Sequence, residues 1–297
     1  MDFCTTYREV KARKPGRGFG TRLRQQARGA ALHLLYRVEK LRGLRENLRR
    51  PRVQFLYLHH VFADEEQSLR ELLEFLARDH AFLSHSEAVE RILEGRVDRP
   101  YISFSLDDGM KNNLRAGRIF REYGVRACFF LNPALVGETD GQTIKAHCEE
   151  RLSFPPVEFL NWEQVAELQG MGHEIGSHSL RHRNLAGLSE GELREDLQRS
   201  REILLERTGE GGHFAFPYGR FHHFSERARR LVFETGHTSC ATAEKGAHVN
   251  PPAHLAPRDL CIRRNQVKLD WDLGQILYFV SRDSRRASPE NNLFPYR

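Results

Sequence analysis

Two adjacent carboxylates, Asp107 and Asp108, stand directly before Gly109, and two imidazoles, His178 and His182, stand four residues apart. Strand side chains alternate between faces, so one acid of such a pair can ligate a metal while its neighbour acts as a base. Two imidazoles at this spacing can share a face and reach one cation at about 2.0–2.1 Å. Each motif also has a plainer use: Asp and Gly form turns, and single histidines commonly sit on surfaces or in cores. In a third piece, Phe214-Ala215-Phe216-Pro217-Tyr218-Gly219, Pro and Gly flank an aromatic residue. This sets a tight turn, which either aims the Tyr218 N–H at a developing oxyanion or serves the backbone alone. His173-Glu174 approaches the His-Glu-x-x-His helix of zinc proteases, but His178 comes one residue too late. The chain holds no Gly-x-Ser-x-Gly elbow and no P-loop, which counts against a serine hydrolase and a nucleotide hydrolase.

Such residues need a scaffold that brings distant segments to one place. Seven short runs rich in apolar, β-branched and aromatic residues read as strands, at 53–61, 101–108, 126–132, 173–179, 213–217, 237–243 and 259–264. Helical periodicity fills the intervals at 66–79, 86–94, 112–123, 161–171, 189–208 and 224–235, with a last helix near 270–282. Strand then helix, seven times over, predicts an α/β domain with a parallel sheet, and a closed or nearly closed (β/α) barrel is the economical solution. In a barrel the C-terminal strand ends face the active site, and that is where the Asp pair and the His pair fall. The stretch 137–160 has no strong period and is long for a connection, a mark of functional loops.

In order, SFSLDDG (103–109), HSLRH (178–182) and FAFPYG (214–219) resemble the leading motifs of the polysaccharide deacetylases, the NodB-homology carbohydrate esterases. The resemblance covers roughly 53–265. It includes FLYLHHV (55–61), which looks like the first strand of the subgroup acting on poly-N-acetylglucosamine. It implies a distorted (β/α) barrel of about seven parallel strands. It also implies a metal-dependent hydrolase that releases acetate from an N-acetylated saccharide. Residue by residue, Asp108, His178 and His182 resemble the metal ligands, Asp107 the catalytic base and Tyr218 the oxyanion N–H donor. His59 resembles the general acid, with His60 and the distant His254 as alternatives, and Arg258 in PRDLCI resembles an Arg that orients the base. The implied cofactor is a divalent metal, Zn²⁺ first, with Ni²⁺, Co²⁺ or Fe²⁺ also fitting. The chain departs from the pattern at Ser105-Leu106, where Thr-Phe is usual. It also lacks the late Leu-x-Ile-His motif and the Arg that often precedes Pro-Tyr-Gly. A sugar-binding barrel without turnover is the alternative of a different class.

The formal charge of +6 is unevenly placed. Residues 8–52 carry a balance of +12, whereas 53–297 carry −5. The expected organisation is a basic N-terminal arm, 1–52, joined to the barrel domain, 53–297. Residues 11–20, rich in Lys, Arg, Gly and Pro, read as a tail. Leu23, Ala27, Ala30, Leu34, Val38, Leu41, Leu44 and Leu48 then mark one face of an amphipathic helix that Pro51 closes. Its Leu stripe either packs on the body or lies, within residues 22–50, on an anionic membrane surface. A nucleic-acid role is not expected, since no aromatic platform or zinc-finger spacing accompanies the charge. No apolar run approaches the ~20 residues that span a bilayer. The five scattered cysteines read as reduced thiols, and the N-terminus lacks a secretory apolar stretch. Together these give the expectation of a cytoplasmic protein, peripheral on the inner membrane face, acting on a lipid-linked or nucleotide-linked saccharide.

Overall fold

The computed structural model describes residues 2–13 and 19–295, with the backbone alone for 19–26. Much of the tail expected at 11–20, and the side chain of Leu23, therefore lie outside the described residues. The N-terminal segment forms α1 (Tyr7–Arg13), α2 (Phe19–Leu41) and α3 (Leu44–Arg49). Next come β1 (Arg52–Leu58), α4 (Glu66–Leu76), β2 (Ala81–Phe82), α5 (His85–Leu93), β3 (Pro100–Leu106), α6 (Asn113–Glu122) and β4 (Cys128–Leu131). Then follow α7 (Gly141–Glu150), α8 (Trp162–Gly170), β5 (Glu174–Ser177), α9 (Glu190–Thr208) and β6 (His213–Ala215). The last elements are α10 (Glu226–Glu234), β7 (Ser239–Thr242), β8 (Cys261–Gln266) and α11 (Leu273–Arg285).

All strand pairings in the sheet are parallel, and β1 pairs with both β3 and β8, which closes the ring. Seven strands make the barrel, and they are the seven runs read as strands in the sequence. The two-residue β2 is an extra strand on β3, too short to register as a run. The closure is uneven: β1 and β3 pair from Arg52↔Pro100 to Leu58↔Leu106, while β5 and β6 meet only at Ser177↔Phe214.

Period-two alternation sorts the side chains. Val53, Phe55, Tyr101, Cys128, Phe130, Ala241 and Ile262 fill the barrel interior. Leu56, Leu58, Ile102, Phe104 and Leu106 point outward beneath the helices. Each fully buried Leu or Phe contributes roughly 1.5–3 kcal/mol. Local signals fix the helix ends: Ser84, Asn161 and Ser189 close capping boxes, and Ser225 and Asp272 cap α10 and α11. All five cysteines are unpaired and buried. The stretch 137–160 is not one irregular loop, because Asp140 caps α7 within it. Its last residues return across the barrel mouth, where Lys111 N donates to Glu158 O at 2.8 Å.

The expected arm helix is broken at Gly43, which takes a left-handed φ of 93° between α2 and α3. Its Leu stripe is divided accordingly. Leu44 and Leu48, beyond the break, are buried against the body. Before the break, the face of α2 that packs on α11 is Gly29, Leu32, Tyr36 and Glu39, while Ala27, Ala30, Leu34 and Leu41 face outward. Polar partners decide the choice. Glu39 accepts from Ser281 Oγ at 2.8 Å and from Asn47 Nδ2 at 3.1 Å, and Tyr36 packs against Gly274, where a side chain would collide with its ring. No described helix is long and apolar enough to cross a membrane.

Candidate active site

The C-terminal ends of β1, β3, β5, β6 and β8 bring the chemistry-bearing residues to the mouth of the barrel. Tyr57 and His59 lie two apart and share the inner face of β1. Ser105 and Asp107 do the same on β3, where Asp107 N donates to Leu58 O at 3.0 Å. The chain then turns at Asp108 with φ 73°, which swings its carboxylate toward His178 and His182. Asp108 Oδ1 lies 3.5 Å from Nε2 of each imidazole. One ligand atom from each of the three residues lies within 4.8 Å of the others. Asp107, Asp108, His178 and His182 are all buried. With His59, Arg151, Ser153, Tyr218 and Arg264, they line a cavity of about 180 Å³. A neighbouring hollow of about 190 Å³ shares His59, Asp108, Leu152 and Ser153.

The trio fits a divalent cation on donor chemistry. Burial, and then the neighbouring Asp107, push the Asp108 carboxyl well above the usual range. Burial depresses both imidazoles, His182 the further. The 3.5 Å contacts therefore join groups that do not neutralise one another, and Asp108 Oδ1 is buried with no hydrogen-bond partner. A cation would satisfy it, and two neutral imidazoles with one carboxylate form a common zinc donor set. His178 is already oriented for this role: Nδ1 bonds Ala215 O at 2.7 Å, which leaves Nε2 turned to the trio. Asn132 Nδ2 braces the same loop through Ser179 O at 3.1 Å, and Asp196 Oδ1 accepts from Leu180 N at 2.9 Å.

Asp107 stands apart from the trio. Burial raises its carboxyl, but the Arg264 guanidinium, followed by His178, outweighs burial and holds it below the ordinary value. Arg264 grips it as a fork, Nη1 to Oδ1 at 2.7 Å and Nη2 to Oδ2 at 2.9 Å. Tyr218 and Gly219 both take left-handed φ, 63° and 65°. Gly219 has no alternative, because a Cβ there would come within 2.6 Å of Ala243 N. Gly219 O accepts from Ala243 N at 2.8 Å and from Thr242 Oγ1 at 2.6 Å, so the turn is fastened to the end of β7.

Of the histidines considered for the acid, His59 is the one inside the cavity. The Gln266 amide donates to its Nδ1 at 3.1 Å, which leaves Nε2 for the cavity, and burial pulls the ring down to about 4. His60 turns away, with Nδ1 2.8 Å from Glu65 and the ring stacked 5.0 Å from Tyr7. His254 is exposed on the return from β7 and borders neither hollow.

Arg258 does not orient the base. It precedes β8 at the opposite end of the barrel, beside Glu226, Arg229 and Arg230 in a surface groove. The residue that performs this task is Arg264, six positions on, where β8 reaches the mouth. The signal was present in the sequence: Arg264 alternates inward with Ile262, and a buried Arg must have an acid to meet.

A closed parallel barrel with an Asp-His-His cluster and a clamped second acid at its mouth defines a hydrolase-type site. The family comparison agrees: residues 94–239 match the polysaccharide deacetylase family model. Over these residues the chain is similar to a polysaccharide deacetylase domain, a class of hydrolases that act on glycans. Several solved structures share the fold. The Streptococcus pyogenes deacetylase PplD, solved in complex with acetate, aligns with a TM-score of 0.59 at 15% identity, over 78% of this chain and 98% of that one. IcaB from Ammonifex degensii gives 0.58 at 21%, over 78% and 98%. A de-N-acetylase from Aggregatibacter actinomycetemcomitans gives 0.59 at 17%, over 77% and 99%. At these identities the likeness speaks for the fold. No curated protein matches the chain.

Proposed function

We propose that this chain hydrolyses the N-acetyl group of an amino sugar within a glycan or glycan precursor, using a divalent cation held by Asp108, His178 and His182. The observation that carries the reading is the separation of roles between two adjacent acids. Asp108 meets two imidazoles, while Asp107 is gripped by Arg264 and left unligated. A cation in the trio, Zn²⁺ by donor type, would supply Lewis acidity at the acetyl carbonyl and acidify water. Asp107, ionised beside Arg264, accepts a proton from the water that attacks the acetyl carbon. The Tyr218 N–H donates to the carbonyl oxygen as it becomes tetrahedral. His59 carries a proton on Nε2 to the leaving nitrogen. With the ring held near 4 by burial, against the attraction of Asp107, His59 must first take up a second proton, and the one Asp107 accepts from the attacking water supplies it. The products are acetate and a free amino sugar. Two adjoining hollows that share His59 and Asp108 suit neighbouring sugar units better than one small molecule.

The test is acetate release from a panel of N-acetylated oligosaccharides and sugar nucleotides, with metal analysis of the same preparations. Asp108→Ala should lose both metal and turnover, while Asp107→Asn should keep metal and lose turnover. Equal turnover in both variants and the wild type would overturn the mechanism. Saccharide binding without acetate release by the wild type would replace it with a silent sugar-binding barrel.

A further inference from the structure

Among the described residues the outward face of α2 meets no other element, and its composition is ordered. Leu34 is 62% exposed, Leu35 41% and Leu41 89%, on a helix whose opposite face is already used against α11. Ala27, Ala30 and Ala31 extend the apolar strip, and the exposed Arg28, Arg37 and Arg42 border it. The one acid of α2, Glu39, is turned inward and bonded to Ser281, so the outer face carries no negative charge among the described residues. A second feature adjoins it. Trp271, Tyr278 and Phe279, all half-buried, form a chain of rings with centroids 5.1 and 5.2 Å apart. Cations surround these rings: Arg28 lies 5.6 Å from Trp271, Lys268 5.8 Å from the same ring, and Lys245 5.2 Å from Phe279. Arg28 thus joins the helix face to the aromatic cluster, and Lys268 also borders the hollow next to the catalytic cavity.

We propose that the outer face of α2 and the Trp271–Phe279 cluster form a docking surface for an anionic lipid bilayer, placed beside the barrel mouth. Apolar side chains flanked by arginines, with aromatic rings at one end, are what an interfacial helix needs: the apolar strip enters the headgroup boundary while the cations meet lipid phosphates. Nucleic acid would use the arginines but leave the leucines in water. A second copy of the chain would bring the same arginines against one another. The surface is independent of the chemistry at the mouth, so it stands or falls separately from the deacetylase reading.

Co-sedimentation of the purified full chain with vesicles tests this. Binding is expected to two-to-one phosphatidylcholine–phosphatidylglycerol vesicles and not to phosphatidylcholine alone. Arg28→Gln/Arg37→Gln/Arg42→Gln should weaken it on the order of a hundredfold, at about one kcal/mol per cation. Leu34→Glu/Leu41→Glu should weaken it at least tenfold per site. These side chains are solvent-exposed, so circular dichroism and the melting temperature should not move, which separates lost docking from lost folding. No affinity for anionic vesicles, equal affinity for both vesicle types, preferential retention on duplex DNA, or a dimer that Leu41→Glu dissociates would each overturn the proposal.

Discussion

Replacing Arg264 tests the division of labour at the mouth most directly. Its guanidinium makes two bonds to Asp107, one to Ser105 Oγ at 3.1 Å and, through Nε, one to Thr242 O at 3.1 Å. The Tyr57 and Phe130 rings lie 4.6 and 5.2 Å from its centre. Arg264→Met leaves the Asp107 carboxylate buried without its counter-charge, a change that costs about 3–5 kcal/mol of stability. Arg264→Lys keeps the charge but not the fork, and should cost about half as much. Turnover should fall by about 10²–10⁴, the range of a general base that is misplaced or wrongly protonated. The pH profile identifies the cause. Arg264 is what keeps Asp107 below the ordinary carboxylate value against the effect of burial, so without it the acid limb of kcat/KM should move to higher pH. Metal content should be unchanged, because Arg264 touches none of the three ligands. In Asp107→Asn/Arg264→Met neither charge remains, and stability should recover relative to Arg264→Met alone. Wild-type turnover and an unmoved acid limb in Arg264→Met would refute the reasoning.

Removing metal with a strong chelator should abolish acetate release, and adding Zn²⁺ should restore it, with the fold preserved by circular dichroism. Gly219→Ala, whose Cβ collides with Ala243, should displace the Tyr218 N–H and lower kcat by about 10²–10³ with metal retained. His80, His237 and His248 are held near 4, mainly by burial, against 6.5 in an open chain. The unfolded chain therefore takes up protons first: their stabilisation is complete above about pH 6.5, shrinks on acidification and is lost through pH 4. At pH 5 each should account for ~2 kcal/mol, offset in part by Asp196 and Asp283, whose raised carboxyls act in the opposite sense. Urea titrations at pH 7.5 and 5, with His248→Gln flattening the difference, check this.

The seven barrel strands were legible because each is an apolar run set off by an amphipathic helix, and alternation then places Asp107 and Arg264 inside without further information. β2 was not legible, since two residues, Ala81 and Phe82, carry no period. Helix α7 was missed because its apolar residues that reach the core, Ile144 and Cys148, are too few to impress a face on ten residues. Which face of α2 meets the body stayed open for a different reason. Periodicity finds where the apolar residues lie but not which side meets the body, and here a carboxylate, Glu39, was drawn inward by Ser281, Asn47 and Arg285.

Backbone geometry explains why motifs could name the ligands while spacing alone could not place them. Among the described residues other than glycine, those with left-handed φ are Asp108, Ser153, Ser179, His182 and Tyr218, and every one lines the cavity or belongs to the His178–His182 loop. Such conformations cost on the order of 1–3 kcal/mol each and persist only where the surroundings enforce them. The enforcement is visible: Asn132 and Asp196 bind the His loop, and Thr242 and Ala243 bind the Tyr218 turn. Local propensity marks turns at Asp108-Gly109 and Pro217-Tyr218-Gly219 but not at Ser153, Ser179 or His182, and the residues that brace the His loop and the Tyr218 turn come from other strands and helices. Relaxing one brace, as in Asp196→Ala, should therefore loosen His182 as a ligand while Asp107 and Arg264, held by the strands themselves, stay in place. The measurable consequence is weaker zinc affinity with an unshifted acid limb in the pH profile of the zinc-saturated enzyme. Unchanged zinc affinity in Asp196→Ala would mean that the bend is intrinsic to the loop.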